Sequence, residues 1–300
     1  MTLIELVEHE AARLDAAGVA FGHGTTNAFD EAAWLVLWRL GLPLDALDDV
    51  ADRELTAADL AAVQALVDQR ITTRRPAAYL TGEAWLQGVP FFVDERVIVP
   101  RSLIAEVLVE RVLDAWLPPG GPARVLDLCT GNGSLAVLAA LEWPQAQVFA
   151  TDLSADALAV AQRNVHRHGL QRDITLAQGD GWAAVDPAWA PLDLVLCNPP
   201  YVNAASMAAL PPEFRAEPAL ALDGNRSGGD DGMDFVRALL RDAHRHLGAA
   251  GVLVLEIGHE RGHFEAAFPR LEVVWLPTSA GDDQVLLVDA AALRTLEHAA

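Results

Sequence analysis

Leu192-Asp193-Leu194-Val195-Leu196-Cys197-Asn198-Pro199-Pro200-Tyr201 is the stretch that decides the fold class of this chain. Its first six residues read as a strand, so the polar atoms of Asn198 come at that strand's C-terminal end, the edge at which open α/β sheets take their ligands. The four residues that follow have a chemistry of their own. An Asn side-chain carbonyl accepts a hydrogen bond from a planar amino group. Neither proline has an N–H and both have a fixed φ, so the carbonyl of Pro199 is held rigid and free to accept. The ring of Tyr201 can pack against a flat amide or base. Two acceptors on one –NH2 group aim its lone pair at an electrophile. That suits methylation of a planar nitrogen: the amide of Gln or Asn, or the exocyclic amine of adenine or cytosine. The bland alternative is a strand end followed by a Pro-Pro turn, and the flanking sequence weighs against it.

Upstream, Arg124-Val125-Leu126-Asp127-Leu128-Cys129-Thr130-Gly131-Asn132-Gly133-Ser134 reads as strand, glycine turn and helix start. A charge in the apolar run Val125–Leu128 has no place unless the strand's end meets a ligand. Gly131 and Gly133 permit close backbone approach, and a helix over 134–142 points its free N–H groups at the turn, where a carboxylate is favoured. The pattern is not G-x-x-x-x-G-K-[ST], and Ala136 stands where a dinucleotide fingerprint wants its third glycine. A second strand, Gln147–Asp152, ends in an acid about twenty residues after the turn, where an acid commonly takes ribose hydroxyls. Ser154 caps a helix running to about His168. A third strand, Asp173–Gln178, leads to Gly179-Asp180-Gly181-Trp182.

Glycine turn, ribose acid, Gly-Asp-Gly-Trp and Asn-Pro-Pro-Tyr, in that order, resemble the S-adenosylmethionine-dependent methyltransferases of the Rossmann-like class. Over nearly the whole chain the sequence is similar to the protein-glutamine N5-methyltransferases that modify translation components. Two branches are to be separated, one acting on peptide-chain release factors and one on the large-subunit ribosomal protein uL3. Gly22-His23-Gly24-Thr25-Thr26-Asn27 with Asp30-Glu31-Ala32, Phe91-Phe92-Val93-Asp94-Glu95-Arg96, and Val99-Pro100-Arg101-Ser102 resemble the ribosomal-protein branch, as does Cys129 in place of the first turn glycine. Ser102-Leu103-Ile104-Ala105 is not the acid-rich run of the release-factor branch. The departures are Leu103, where proline is usual, and Asn132 and Ser134, where Ser and Cys are usual. The last two flank the turn and bear on cofactor affinity.

The resemblance implies an α/β fold: a Rossmann-like seven-strand sheet ending in an antiparallel pair, behind a small helical front. It implies S-adenosyl-L-methionine as cofactor. Cys129, Thr130, Gly131, Asn132 and Gly133 would approach its methionine part, Asp152 its ribose hydroxyls, and Asp180 and Trp182 its adenine. Asn198, Pro199, Pro200 and Tyr201 would grip the glutamine amide, with Asn198 facing the cofactor as well. The alternative readings are core packing for Trp182 and a turn cap for Asp180.

The rest of the chain fits this organisation. Residues 2–75 carry helical periodicity and none of the turn chemistry. Leu3, Leu6, Val7 and Leu14 form a stripe ended by Gly18; Asn27 and Asp30 start a second helix; Thr56 with Asp59 resembles a capping box. Gly88 punctuates β-rich runs at 84–87, 91–93 and 97–99, which suggest a hairpin. Ser102 can cap a helix to about Trp116. The expected division is a helical substrate-recognition domain over 1–75, a β-hairpin linker over 76–101 and a methyltransferase domain over 102–300. Within the last, 202–227 reads as an irregular lid or substrate loop. A helix over 232–246, a strand over 252–257, a helix over 260–268 and strands over 271–276 and 284–288 follow.

Lys and Arg total 21 against 42 Asp and Glu, a net charge of −21. A nucleic-acid binder normally presents a basic face, so this balance argues against adenine N6 methylation of DNA or RNA and suits a basic protein partner, such as uL3 or an early ribosome-assembly intermediate. General solubility would give the same acidity. A non-enzymatic assembly factor that holds a basic nascent protein is the remaining alternative. No metal is implied: Cys129 and Cys197 read as buried thiols, and His259 and His263, at i and i+4, as a solvated face. The acids at Glu5 and Glu8 are unlike a signal peptide and no apolar stretch is long enough for a span, so a cytoplasmic protein is expected.

Overall fold

Residues in the central strands are apolar on both sides, which places the sheet between two helical layers. The structure, a computed structural model, describes residues 1–297. Its strands are β1 (Glu83–Leu86), β2 (Val89–Phe92), β3 (Arg124–Leu128), β4 (Gln147–Asp152), β5 (Ile174–Gln178), β6 (Leu192–Cys197), β7 (Leu247–Glu256), β8 (Val274–Thr278) and β9 (Gly281–Asp289). β1 and β2 form the expected hairpin, with Gln87 and Gly88 at positive φ between them. The other strands make one seven-stranded sheet in the order β5-β4-β3-β6-β7-β9-β8. β3, β4, β5, β6 and β7 pair in parallel, whereas β9 is antiparallel to both β7 and β8. This is the α/β Rossmann-like sheet with its terminal antiparallel pair, as the sequence led us to expect.

Alternation along each strand divides the core. Leu194, Leu196, Val252 and Val254 face the helices over 104–109 and 134–142. Val195, Cys197, Leu253 and Leu255 face the opposite way, against Val236, Leu239, Leu240, Phe264 and Leu293. The strand order reverses between β3 and β6, which run side by side with Leu128 opposite Cys197. The glycine turn and the Asn-Pro-Pro-Tyr turn therefore leave the sheet next to one another, at the edge where ligands bind.

In front of the sheet, helices over Leu3–Ala16, Ala28–Arg39 and Ala57–Thr73 enclose an apolar cluster of their own, including Leu6, Leu14, Leu35, Val36 and Val67. Asn27 caps the second helix, and Thr56 with Asp59 forms a complete capping box on the third.

Several elements differ from the sequence expectation. Residues 97–99 are not a strand: the Val99 N–H donates to the Glu217 carboxylate at 2.8 Å instead of to a ladder. The helix expected to Trp116 covers only Ile104–Val109, because Arg111 turns left-handed at φ 58° and a short 3-10 turn follows. The 202–227 segment is mostly irregular but carries short helices at Ala204–Ala209 and Pro212–Arg215. A helix over Ala290–Glu297, which sequence reading did not anticipate, packs Leu293 into the core.

Candidate active site

The glycine turn is organised by two acids. Asp127, in β3, is 1% exposed. Its Oδ2 accepts from Thr130 Oγ1 at 2.5 Å and from the Ala136 N–H at 3.0 Å, while its Oδ1 has no hydrogen-bond partner. Burial pushes its pKa up to about 7, against the lowering effect of those two bonds. Asp152, at the end of β4, accepts from the Gly131 N–H at 2.9 Å and the Ser154 N–H at 2.8 Å, one on each oxygen. Burial raises this carboxyl too, and the backbone donors offset part of the rise. Each oxygen has a further lone pair to offer.

Between the acids, Cys129 takes φ 66°, the left-handed conformation that glycine favours. Gly133 lies at φ 82°, and a Cβ there would stand 3.1 Å from Cβ of Ala161, so only glycine lets the helix over 155–167 approach. Asn132 is 4% exposed; its Oδ1 accepts from Ser134 N–H at 3.2 Å, and its Nδ2 has no partner. A buried donor without an acceptor costs free energy. The turn thus leaves two groups unmet, the Asn132 carboxamide donor in the cavity wall and an Asp127 carboxyl oxygen behind it.

One cavity runs across both strand ends. Cys129, Thr130, Gly131, Asn132, Asp152, Asp180, Asn198 and Pro200 line it. Among the described residues the Asn198 carboxamide hydrogen-bonds to none, so its oxygen is available to a ligand. Asp180 stands at the exposed rim, with Arg226 3.7 Å away. Four of the residues singled out from the sequence are not in the cavity wall. Gly133 begins the helix behind the turn, and the ring of Pro199 is buried. The Tyr201 hydroxyl lies 3.4 Å from Glu256 Oε1, pointing back toward β7. Trp182 donates its indole N–H to the carbonyl of Leu239 at 2.9 Å and stacks on His246 at 4.3 Å, within the second core.

The opposite wall comes from residues to which sequence reading gave no site role. Arg101 and Ser102 line it. The Arg101 guanidinium grips Glu217 at both nitrogens, 2.6 and 2.7 Å. Burial alone would raise Glu217; Arg101, with His23 nearby, brings it down to about 2. Asn164, fully buried on the 155–167 helix, bonds both the N–H and the carbonyl of Phe92 and also the carbonyl of Asn132, so it ties the hairpin to the glycine turn. Asp127 and Glu256 had a signal, an acid inside or ending an apolar β-run. Glu217, in an irregular loop, had none. Among the described residues no group of three or more potential metal ligands occurs.

The chain matches the family model described as methyltransferase small domain over residues 105–222. It is 55% identical to a ribosomal protein uL3 glutamine methyltransferase of Bordetella pertussis, covering 98% of this chain and 97% of the relative. A relative of the same description from Burkholderia pseudomallei is 52% identical, over 97% and 95%. One from Neisseria gonorrhoeae is 44% identical, over 96% and 94%. With the sheet order, the paired strand-end turns and this similarity along the whole length together, the chain belongs to the ribosomal protein uL3 glutamine methyltransferase family.

Proposed function

We propose that this chain transfers a methyl group from S-adenosylmethionine to the side-chain amide nitrogen of a glutamine in ribosomal protein uL3. The observation that carries the reading is the shared cavity, into which the unbonded carboxamide of Asn198 and the glycine turn with its unmet Asn132 Nδ2 both open. S-Adenosylmethionine, when bound, supplies a methyl group made electrophilic by its sulfonium. Asp152 would offer its spare lone pairs to the ribose hydroxyls, residues 129–133 would receive the methionine head, and Asp180 would frame the adenine side. Arg101 would present little net charge to a bound sulfonium, because Glu217 neutralises it.

The amide is a poor nucleophile, its lone pair being delocalised into the carbonyl. Oδ1 of Asn198 and the carbonyl of Pro199 accept its two N–H groups and favour the pyramidal nitrogen that forms as the new bond grows. That interaction strengthens in the transition state. Alignment of the nitrogen contributes up to roughly 10 kcal/mol at the very best. No base is required before attack, since the nitrogen becomes acidic only once methylated and then releases its proton to solvent or a nearby acceptor.

The substrate follows from the relatives' description and from charge. A net charge of −21 favours the approach of a basic protein, free or in an early assembly intermediate. We assign the recognition of that partner to residues 1–75, with no direct reading of nucleic acid. Among the described residues no helix is long and apolar enough to cross a membrane, which is compatible with work in the cytoplasm.

The test is mass spectrometry after incubation with S-adenosylmethionine and purified uL3 or, separately, release factor. One methyl on a glutamine of uL3 alone is expected, and none with Asn198→Ala, which should bind cofactor normally. Methylation of release factor alone would move the substrate assignment and keep the chemistry. Near-normal turnover by Asn198→Ala would remove the amide clamp.

A further inference from the structure

Glu256 is 5% exposed at the end of β7, and among the described residues no cation is bonded to it. A carboxylate in such a place has lost most of its water and must be held by donors. They come from two separate segments. Oε2 accepts from Ser102 Oγ at 2.6 Å and from the Leu103 N–H at 2.9 Å, both in the segment that follows the hairpin. Oε1 faces the hydroxyl of Tyr201 at 3.4 Å, in the Asn-Pro-Pro-Tyr turn. The same ring is confined from another side. Gly258 lies at φ 51°, and a Cβ built there would come within 2.7 Å of Tyr201 Cε2 and 3.0 Å of its oxygen. Tyr201 is thus confined between a carboxylate and a backbone, outside the cavity wall that Asn198 and Pro200 help to form. Burial raises the Tyr201 phenol, so at neutral pH it keeps its proton and can donate a hydrogen bond to Oε1 of Glu256.

We propose that Glu256 is a positioning residue for methyl transfer. By holding Tyr201 it fixes the Pro199–Pro200 backbone and the Asn198 carboxamide from behind, and through Ser102 it sets this clamp in register with the opposite cavity wall. Tyr201 acts in this scheme as a strut and not as a surface against which the amide packs. The scheme rests on the reading of the cavity as a glutamine methyl-transfer site. The long Tyr201 contact leaves room to tighten when the amide enters, as bonds in ligand-free sites often do.

Glu256→Gln is the selective variant. A Gln carbonyl can still accept from Ser102 and Leu103, but it then turns an NH2 group toward the phenol, which loses its acceptor. The protein has two tyrosines, so with ring-labelled tyrosine the Tyr201 signal can be assigned by Tyr201→Phe and followed alone. Glu256→Gln should shift the Tyr201 signal and leave that of Tyr79. On uL3 it should lower kcat about tenfold or more, with the KM for S-adenosylmethionine within about twofold. Tyr201→Phe should lose the same factor, and the double variant no more than either. Gly258→Ala, which crowds the ring without touching a charge, should reproduce the kcat loss. An unmoved Tyr201 signal, an unchanged kcat, or losses that multiply in the double variant would each overturn the proposal. If the wild-type protein methylates no glutamine of uL3, the substrate reading fails, and the Tyr201 signal alone then decides whether Glu256 holds the ring.

Discussion

Two carboxylates in this molecule lose nearly all their water and respond in opposite directions. Asp127 lies behind the glycine turn with only neutral donors, and burial lifts it to about 7. Glu217 lies where the irregular 202–227 segment meets Arg101 and the helical front, and the bidentate guanidinium brings it to about 2 despite the burial. The difference is what each region is made of. The glycine turn leaves groups unmet, Asn132 Nδ2 in the cavity wall and Asp127 Oδ1 behind it. The junction is built mostly from ions in pairs, Arg70 with Glu31 at 2.8 Å, Arg74 with Glu213 at 2.7 Å, and Arg101 with Glu217, while Glu213 Oε2 stays without a hydrogen bond. A site that must accept charge carries the cost of unpaired groups, whereas a joint that must hold its parts in one arrangement pairs them.

The largest effect should come from breaking the paired side. Glu217→Ala leaves Arg101 without its carboxylate partner and should lower stability by about 3–5 kcal/mol in urea unfolding. Replacing both ions with apolar residues, Arg101→Met with Glu217→Leu, should recover most of that loss. If the double variant is no better than the single, the cost is not that of an unpaired charge. The pH dependence has the sign set by a lowered folded pKa. The contribution of Glu217 is present above its unfolded value of about 4.5 and is lost as pH falls through about 2.

Asn164 sharpens the comparison from a third side, because it joins hairpin and glycine turn with neutral bonds alone. Asn164→Leu leaves the Phe92 N–H and two carbonyls unmet in the interior. It should cost about 2–4 kcal/mol, independent of pH, in the same unfolding assay. A pH-dependent loss would mean that a titrating group shares the tie.

Asp127→Asn tests the unpaired side and should be smaller. The Asn oxygen can still accept from Thr130 and Ala136. Asp127 has a raised folded pKa, so its contribution is present below its unfolded value of about 3.8 and is lost as pH rises through about 7. Asn removes that dependence. At pH 8 the variant should be more stable than wild type, and the two should converge near pH 4. A gain that persists unchanged at pH 4 would show that Asp127 is not protonated in the folded state.

This contrast also marks what was legible in the sequence. Cys129, Asp152 and Asn198, which line one cavity, stand out in the sequence because each follows or ends an apolar run, and a strand end is a local fact with a global address. The sheet followed from the same runs. The junction was not legible, because its pairs are far apart in the chain. Arg101 and Glu217 are separated by 116 residues, and Arg70 and Glu213 by 143. Nothing within a few residues of Glu217 distinguishes it from an acid on a solvated loop. The short helix at 104–109 was over-extended for a related reason: Arg111 turns left-handed, a conformation with no local signal when the residue is not glycine.

Trp182 marks where the cavity wall ends, and there the expected effect is smallest. The family resemblance implies a place near the adenine, with core packing as the alternative, and its indole bonds to Leu239 and stacks on His246. If it belongs to the core alone, Trp182→Phe loses one hydrogen bond and part of a stack, worth about 1 kcal/mol of stability. Affinity for S-adenosylmethionine should then stay within about twofold, measured by calorimetry, because no cavity surface has changed. Asp152→Ala in the same titration should lose far more, since it removes the acid that faces the cavity and anchors Gly131. Should Trp182→Phe weaken cofactor binding tenfold at undiminished stability, the indole reaches the ligand in the bound state. The boundary between unmet cavity and satisfied core would then move outward by one residue.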